Sequence, residues 1–202
     1  NRYIALIFSL YAVFMIGAYF VNNLFFTEAQ AQIGDEDALA SFLGLFTALT
    51  GGISLILQFF IAPRLLSRHG IGVFLLLTPA AVLLFMLPYA VLGALSAPAA
   101  LLFALAGLAH LFRIVFDAAD TAVNDGILYP LSIGTAGVLL LLLLELLGLT
   151  DTQLAFIVLL IVALWLYLAR SLGREYPRQV RQALRKRLFN EPYTASGTVL
   201  DY

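Results

Sequence analysis

"IGVFLLLTPAAVLLFMLPYAVLGAL", residues Ile71–Leu95, contains no charged side chain. A bilayer core about 30 Å thick needs about 20 residues of α-helix to cross it, and this run is long enough. Backbone N–H and C=O groups in lipid must bond within the chain, which leaves helices and closed β-barrels as spanning structures. The run lacks the alternating polarity of a barrel strand, so it predicts a transmembrane helix.

Five further apolar segments lie along the chain, in which 62% of residues are hydrophobic and 11% are charged. All six are Tyr3–Phe26, Ala38–Ala62, Ile71–Leu95, Pro98–Phe116, Ile127–Leu149 and Leu154–Ala169. Ordinary soluble domains carry roughly 45–50% apolar residues, so this composition indicates a membrane protein. We therefore predict an all-α membrane protein, a bundle of six transmembrane helices, with a kink in the third helix at Pro79 and Pro88.

The connecting segments predict the topology, because cytoplasmic loops collect Lys and Arg. The first loop, residues 27–38, holds acidic residues and no basic one, so we expect it to lie outside. The basic residues fall on the opposite side, and they are Arg2, Arg64, Arg68, Arg113, Arg170, Arg174, Arg178, Arg181, Arg185, Lys186 and Arg187. We therefore predict a multi-pass protein of the cell inner (plasma) membrane with both termini in the cytoplasm.

The chain divides into three predicted parts. Residues 1–170 form the six-helix bundle, residues 171–190 a basic amphipathic juxtamembrane helix, and residues 191–202 a polar linker or tail. The basic helix has two alternative partners, the anionic lipid headgroups at the membrane surface and a following soluble domain. The chain begins at Asn1 and not at methionine, and we interpret it as a fragment or a processed product.

The sequence contains no pattern typical of an enzyme, a metal site or a cofactor site. It has no cysteine, no Gly-rich phosphate loop and no His-Glu-x-x-His motif. Its two histidines, His69 and His110, are far apart in sequence and are expected at opposite ends of the helices that border them. We expect no enzymatic activity, no cofactor, no metal and no nucleic-acid partner.

The candidate site residues are polar side chains within the predicted helices or at their ends. Charged residues cost about 2.5–3.5 kcal/mol each at mid-depth, so polar groups there usually face a cavity or a partner. The candidates are Asn22, Asn23, Gln58, Arg113, Asp117 and Asp120. Asn22 and Asn23 either line a pathway or form hydrogen bonds between helices, and we interpret Gln58 as a contact between helices.

Arg113 and Asp117 are four residues apart and share one face of a helix, on which they can form an ion pair. Asp120 lies about one turn further along the same face. Together they would place two carboxylates and one guanidinium at a cytoplasmic mouth, where they would act as a gate or contact a solute. The alternative interpretation is a solvated loop.

Two stretches resemble parts of known transporters. The turn "PRLLSRHGIG" resembles the signature loop of the major facilitator superfamily at Arg68 and Gly70, whereas Pro63 and Ser67 replace that family's glycine and aspartate. Within the superfamily, "FRIVFDAADTAVNDGILYPL" and the following "SIGTAGVLLLLLL" are similar to ATP:ADP antiporter-type nucleotide transporters and their bacterial relatives. The similar residues are Arg113, Phe116, Asp117, Tyr129, Pro130 and Leu131.

The resemblance implies that the six helices are one half of a major-facilitator-type fold. It also implies that the relatives carry a longer, more basic segment between the aspartates and "DGILYPL", and we therefore expect residues to be missing from this chain between Asn124 and Asp125. Our first hypothesis is half of a secondary transporter that moves a small solute, with a nucleotide as one candidate, by rocking against a preceding six-helix half. The alternative is a non-transporting scaffold subunit of a larger membrane complex, which the small number of charges at depth favours.

Overall fold

The computed structural model of the chain describes residues 2–117 and 136–190, and within these ranges the regular structure is entirely helical. The elements are α1 (Arg2–Ile33), α2 (Glu36–Ile56), a π-helical turn (Leu57–Ile61), α3 (Ala62–Ala94), α4 (Ala99–Asp117), α5 (residues 136–141), a second π-helical turn (Leu142–Leu146) and α6 (Asp151–Asn190). The predicted all-α fold is confirmed for these ranges.

Five of the described helical stretches are long and apolar enough to cross a membrane. They are Ala5–Ile33, Glu36–Ile61, Leu75–Ala94, Ala99–Phe116 and Asp151–Tyr176. They correspond to five of the six predicted segments. The remaining segment, Ile127–Leu149, lies partly outside the described ranges. The chain therefore has the helical architecture of a multi-pass membrane protein.

The prediction of a first loop at residues 27–38 is wrong for most of these residues. α1 continues through it to Ile33, and the connection to α2 consists of Gly34 and Asp35 alone. Gly34 has a positive φ of 67°, and its N–H donates to the Gln30 carbonyl at 3.0 Å, which ends the helix. The Asp35 carboxylate then accepts from the Ala38 N–H at 2.8 Å and caps α2.

The turn "PRLLSRHGIG" lies within α3, and this helix has a kink at Gly70. The kink predicted at Pro79 and Pro88 stays a prediction. Pro79 and Pro88 lie inside the helix, whereas the residue with non-helical dihedral angles is Gly70, at φ 75° and ψ 170°. Glycine adopts this conformation without a steric penalty. A proline in a membrane helix is tolerated where neighbouring helices satisfy the freed backbone groups. The chain therefore bends at the cytoplasmic end that we predict for α3.

α6 is one helix of 40 residues. At 1.5 Å per residue it is about 60 Å long, roughly twice the thickness of a bilayer core. It joins the predicted sixth span to the predicted basic helix 171–190 without an interruption. The placement of that helix at lipid headgroups stays a prediction.

The core of the bundle lies where α1 and α3 pack against α4 and α6. Its largest fully buried side chains include Phe20, Phe25 and Tyr89. α3 and α6 approach most closely at two glycines, since a Cβ on Gly173 would lie 3.0 Å from the Gly72 Cα. Small residues at such crossings let the backbones of membrane helices come into contact.

The packing pattern of the helices is repeated within the chain. α1 packs against α4 and α6, α4 packs against α1 and α3, and α3 packs against α6. α2 packs against α4, and Gly137 of α5 lies against Tyr19 of α1. If α1 is exchanged with α4, α2 with α5 and α3 with α6, each of these helix–helix contacts becomes another contact of the same set. α1 also contacts α2, and the corresponding contact of α4 with α5 adjoins residues 118–135, outside the described ranges.

The two fully buried residues of α2 are polar, whereas many of its apolar residues are exposed. Its buried residues are Thr50 and Ser54, and the Ser54 hydroxyl lies 3.4 Å from the Val115 carbonyl oxygen of α4. The exposed large side chains of α2 and the following π-helical turn are Leu45, Leu49, Ile53, Leu55, Ile56, Phe59, Phe60 and Ile61. A continuous apolar surface of this kind is expected to face lipid or an apolar partner.

Candidate functional site

A groove lies between α1 and α5. One wall is formed by Tyr19, Asn22, Asn23 and Phe26, and the opposite wall by Gly137, Leu140, Leu141 and Leu144. Each set has the spacing i, i+3, i+4, i+7 of one helix face. The second set, which we name the α5 wall, continues from α5 into the π-helical turn at Leu144. The groove encloses about 390 Å³, which is within the usual range for sites of small molecules.

The polar groups of the groove are on α1. Asn22 and Asn23 are half-buried, and within the described part of the chain no hydrogen bond joins their side-chain amides to another group. The Tyr19 hydroxyl lies 3.6 Å from the position that a Cβ on Gly137 would occupy, so the glycine leaves room for the phenol against the backbone of α5. Two amides and a phenol are therefore available to a solute.

The structure brings together two of the six predicted site residues, Asn22 and Asn23. Gln58 is half-buried in the π-helical turn Leu57–Ile61, and Arg113 lies near the end of α4; neither lines the groove. Asp117 is the last residue of α4, but its side chain and all of Asp120 lie outside the described residues. The ion pair of Arg113 with Asp117 stays a prediction.

His110 lies in the interior of α4, and the expectation that it sits at a helix end is wrong. Its side chain is 5% exposed, and its ring is stacked on Phe25, with 4.6 Å between centroids and 11° between planes. Phe46 of α2 lies on it at 5.8 Å and Phe26 at 6.3 Å. We name these residues with Phe42 and Phe103 the aromatic block, which joins α1, α2 and α4.

Glu28 is a buried residue that the sequence reasoning placed in an outer loop. It is 9% exposed, and its carboxylate accepts a hydrogen bond of 2.8 Å from the hydroxyl of Tyr89 in α3. Asp151, the first residue of α6, interacts electrostatically with both groups. A signal was present, because Val21, Leu24, Phe25 and Glu28 have the spacing of one buried helix face.

We expect Tyr89→Phe to lower the free energy of unfolding by about 1–3 kcal/mol, because the buried carboxyl of Glu28 loses its hydrogen-bond donor. The measurement is thermal unfolding in detergent. Tyr167→Phe, at a side chain that is 66% exposed, is the matched control and should have little effect. Equal stabilities of the two variants would show that the Glu28–Tyr89 bond contributes nothing.

Comparisons of the chain with protein-family models, curated proteins and solved structures gave no match. Evidence for the function therefore comes from the packing of the helices and from the groove between α1 and α5.

A metal centre has no support in the described ranges. Residues 2–117 and 136–190 contain no group of three His, Cys, Asp or Glu side chains that could hold a metal ion. The groove offers amide, phenol, phenyl and aliphatic groups, and these bind a solute by hydrogen bonds and apolar contact.

Proposed function

We propose that the chain is one half of a secondary transporter of the major facilitator type, which moves a small solute across the inner membrane. The observation that carries this proposal is the repeated packing pattern of the helices. Transporters of this class are built from internal repeats, with three-helix units of inverted topology within each six-helix half. The exchange of α1 with α4, α2 with α5 and α3 with α6 relates two such units.

Local backbone features support the same correspondence. α2 and α5 are both followed by a π-helical turn, Leu57–Ile61 and Leu142–Leu146. In each unit the first glycine with a positive φ after the π-helical turn lies before the next spanning helix. These glycines are Gly70, with φ 75°, and Gly148, with φ 58°. Because each unit has three helices, the second unit enters the membrane from the side opposite to the first. Two units of inverted topology thus account for the pattern.

The groove between α1 and α5 is the proposed solute site. Membrane transporters bind solutes near the midplane at the interface between repeats, and α1 and α5 belong to different units of the proposed pair. Asn22 and Asn23 lie several turns from either end of α1. A preceding six-helix half would close the open side of the groove and rock against this half.

The proposed orientation keeps both termini in the cytoplasm. The basic end of α6 then lies beside anionic lipid headgroups, where each Lys or Arg contributes about 1 kcal/mol. A following soluble domain remains the alternative partner of this segment.

The second candidate function is a non-transporting scaffold subunit of a larger membrane complex. The exposed apolar surface of α2 favours it, since such a surface can pack against other membrane subunits. The two functions differ in one physical property of the groove. A transport pathway must be reached by water, whereas a scaffold needs no wetted groove.

Cysteine labelling tests this difference, because the chain has no native cysteine. We expect Asn22→Cys and Asn23→Cys to react in membrane vesicles with a charged, water-soluble methanethiosulfonate reagent. Leu84→Cys and Leu160→Cys are the controls, at side chains that are 66% and 72% exposed on the outer surfaces of α3 and α6. In lipid they should react at least about tenfold more slowly, because the thiolate that reacts forms in water. Groove cysteines as unreactive as the controls would overturn the transport proposal.

A further inference from the structure

The chemical character of the groove limits what it can bind. Its described lining consists of one phenol, two amides, one phenyl ring, three leucines and one glycine, and none of these groups is charged. The undescribed segment 118–135 contains no Lys, Arg or His either. No basic residue of this chain is therefore available from the lining or from that segment to neutralise an anionic solute.

We propose that the groove binds an uncharged, ring-shaped solute with a flat face and a hydrogen-bonding edge; this inference rests on the proposed function. Tyr19 and Phe26 offer aromatic faces, on which flat rings stack. Asn22 and Asn23 lie between them on the same face of α1, and each amide both donates and accepts hydrogen bonds. The leucines of α5 form an apolar wall for the opposite face of the ring.

The same lining disfavours a phosphorylated solute such as a free nucleotide. Phosphate groups are bound in proteins chiefly by Arg and Lys side chains, and the described lining of the groove contains neither. Arg113, the basic residue within α4, does not line the groove. Burying a phosphate beside two amides and three leucines would leave its charge uncompensated.

Two common classes of solute have such a ring. Nucleosides have a planar base, and monosaccharides have a pyranose ring with an apolar face. Both carry adjacent donors and acceptors at the ring edge, so the lining accepts either. Each also has a phosphorylated counterpart that differs by one group. The pairs adenosine and AMP, and glucose and glucose 6-phosphate, therefore isolate the effect of charge.

The test uses Leu144→Cys, a reporter on the α5 wall that leaves the polar residues of α1 intact. We expect adenosine or glucose at millimolar concentration to slow its labelling at least about fivefold, whereas AMP and glucose 6-phosphate have no effect. The parent compound that protects identifies the source. Adding Asn23→Leu should abolish the protection while the thiol stays reactive.

Three results would contradict these expectations. Protection by a phosphate ester equal to that by its parent would overturn the inference, as would no protection by any of the four compounds. A reporter that fails to react even without solute would mean a dry groove. That result would overturn the proposed function itself, so the two failures are distinguishable.

Discussion

Gly173→Leu is expected to cause a large loss of stability, about 3 kcal/mol or more. A Cβ at this position would lie 3.0 Å from the Cα of Gly72, and a backbone atom cannot move aside as a flexible side chain can. Overpacking of a well-packed contact typically costs about 1–3 kcal/mol, and a leucine at a backbone-to-backbone crossing is at the upper end or beyond. The measurement is thermal unfolding in detergent, with limited proteolysis as a second probe.

Gly44→Leu is the matched control for this prediction. Gly44 is helical and exposed, and a Cβ there would meet nothing within 4 Å. In the interior of a helix, leucine is favoured over glycine by somewhat under 1 kcal/mol, so Gly44→Leu should leave stability unchanged or raise it. Equal unfolding temperatures for the two variants would show that α3 and α6 are not in close contact at Gly72 and Gly173.

The second large effect is expected for Phe25→Ala, which should lower the free energy of unfolding by about 3–5 kcal/mol. Phe25 is 1% exposed and lies at the centre of the aromatic block. Its ring is 4.8 Å from that of Phe46 and 4.6 Å from that of His110. Removing it leaves a cavity between α1, α2 and α4 and exposes the histidine to an empty space.

Phe59→Ala makes the same chemical change at a side chain that is 74% exposed. We expect it to cost less than about 1 kcal/mol in detergent, because no cavity forms. Phe25→Leu should fall between the two, since it keeps part of the buried volume. If Phe25→Ala and Phe59→Ala destabilise the protein equally, the aromatic block is not part of the stabilising core.

Sequence length and polarity were enough to predict the spanning helices but not where they end. Residues 27–33 are mostly Ala, Gln and Glu, which favour helix, so α1 continues until Gly34 allows the chain to reverse. The acidic residues suggested a loop because their charge was weighed above their helix propensity. Glu28 was misplaced for this reason, although its spacing from Phe25 places it on the buried face.

One wall of the groove could be predicted from the sequence. The spacing of Tyr19, Asn22, Asn23 and Phe26 is visible in the sequence and defines one helix face. Its opposite wall is not visible, because which face of α5 lies against α1 depends on packing between distant segments. The same limit applies to His110, whose aromatic neighbours come from two other helices, α1 and α2. A single sequence without relatives contains no signal for such pairings.

The length of α6 has a mechanical consequence. Pro177 lies in α6 four residues beyond Gly173, and a proline inside a helix lacks one backbone hydrogen bond and permits a bend. The part of α6 before Gly173 contains no proline, and it tilts as a rod of roughly 33 Å. With the close contact of α3 and α6 at Gly173 as pivot, a rotation of about 5° displaces the end at Asp151 by about 3 Å. Because Asp151 interacts electrostatically with Glu28 and Tyr89, this pair would sense a tilt of α6 directly.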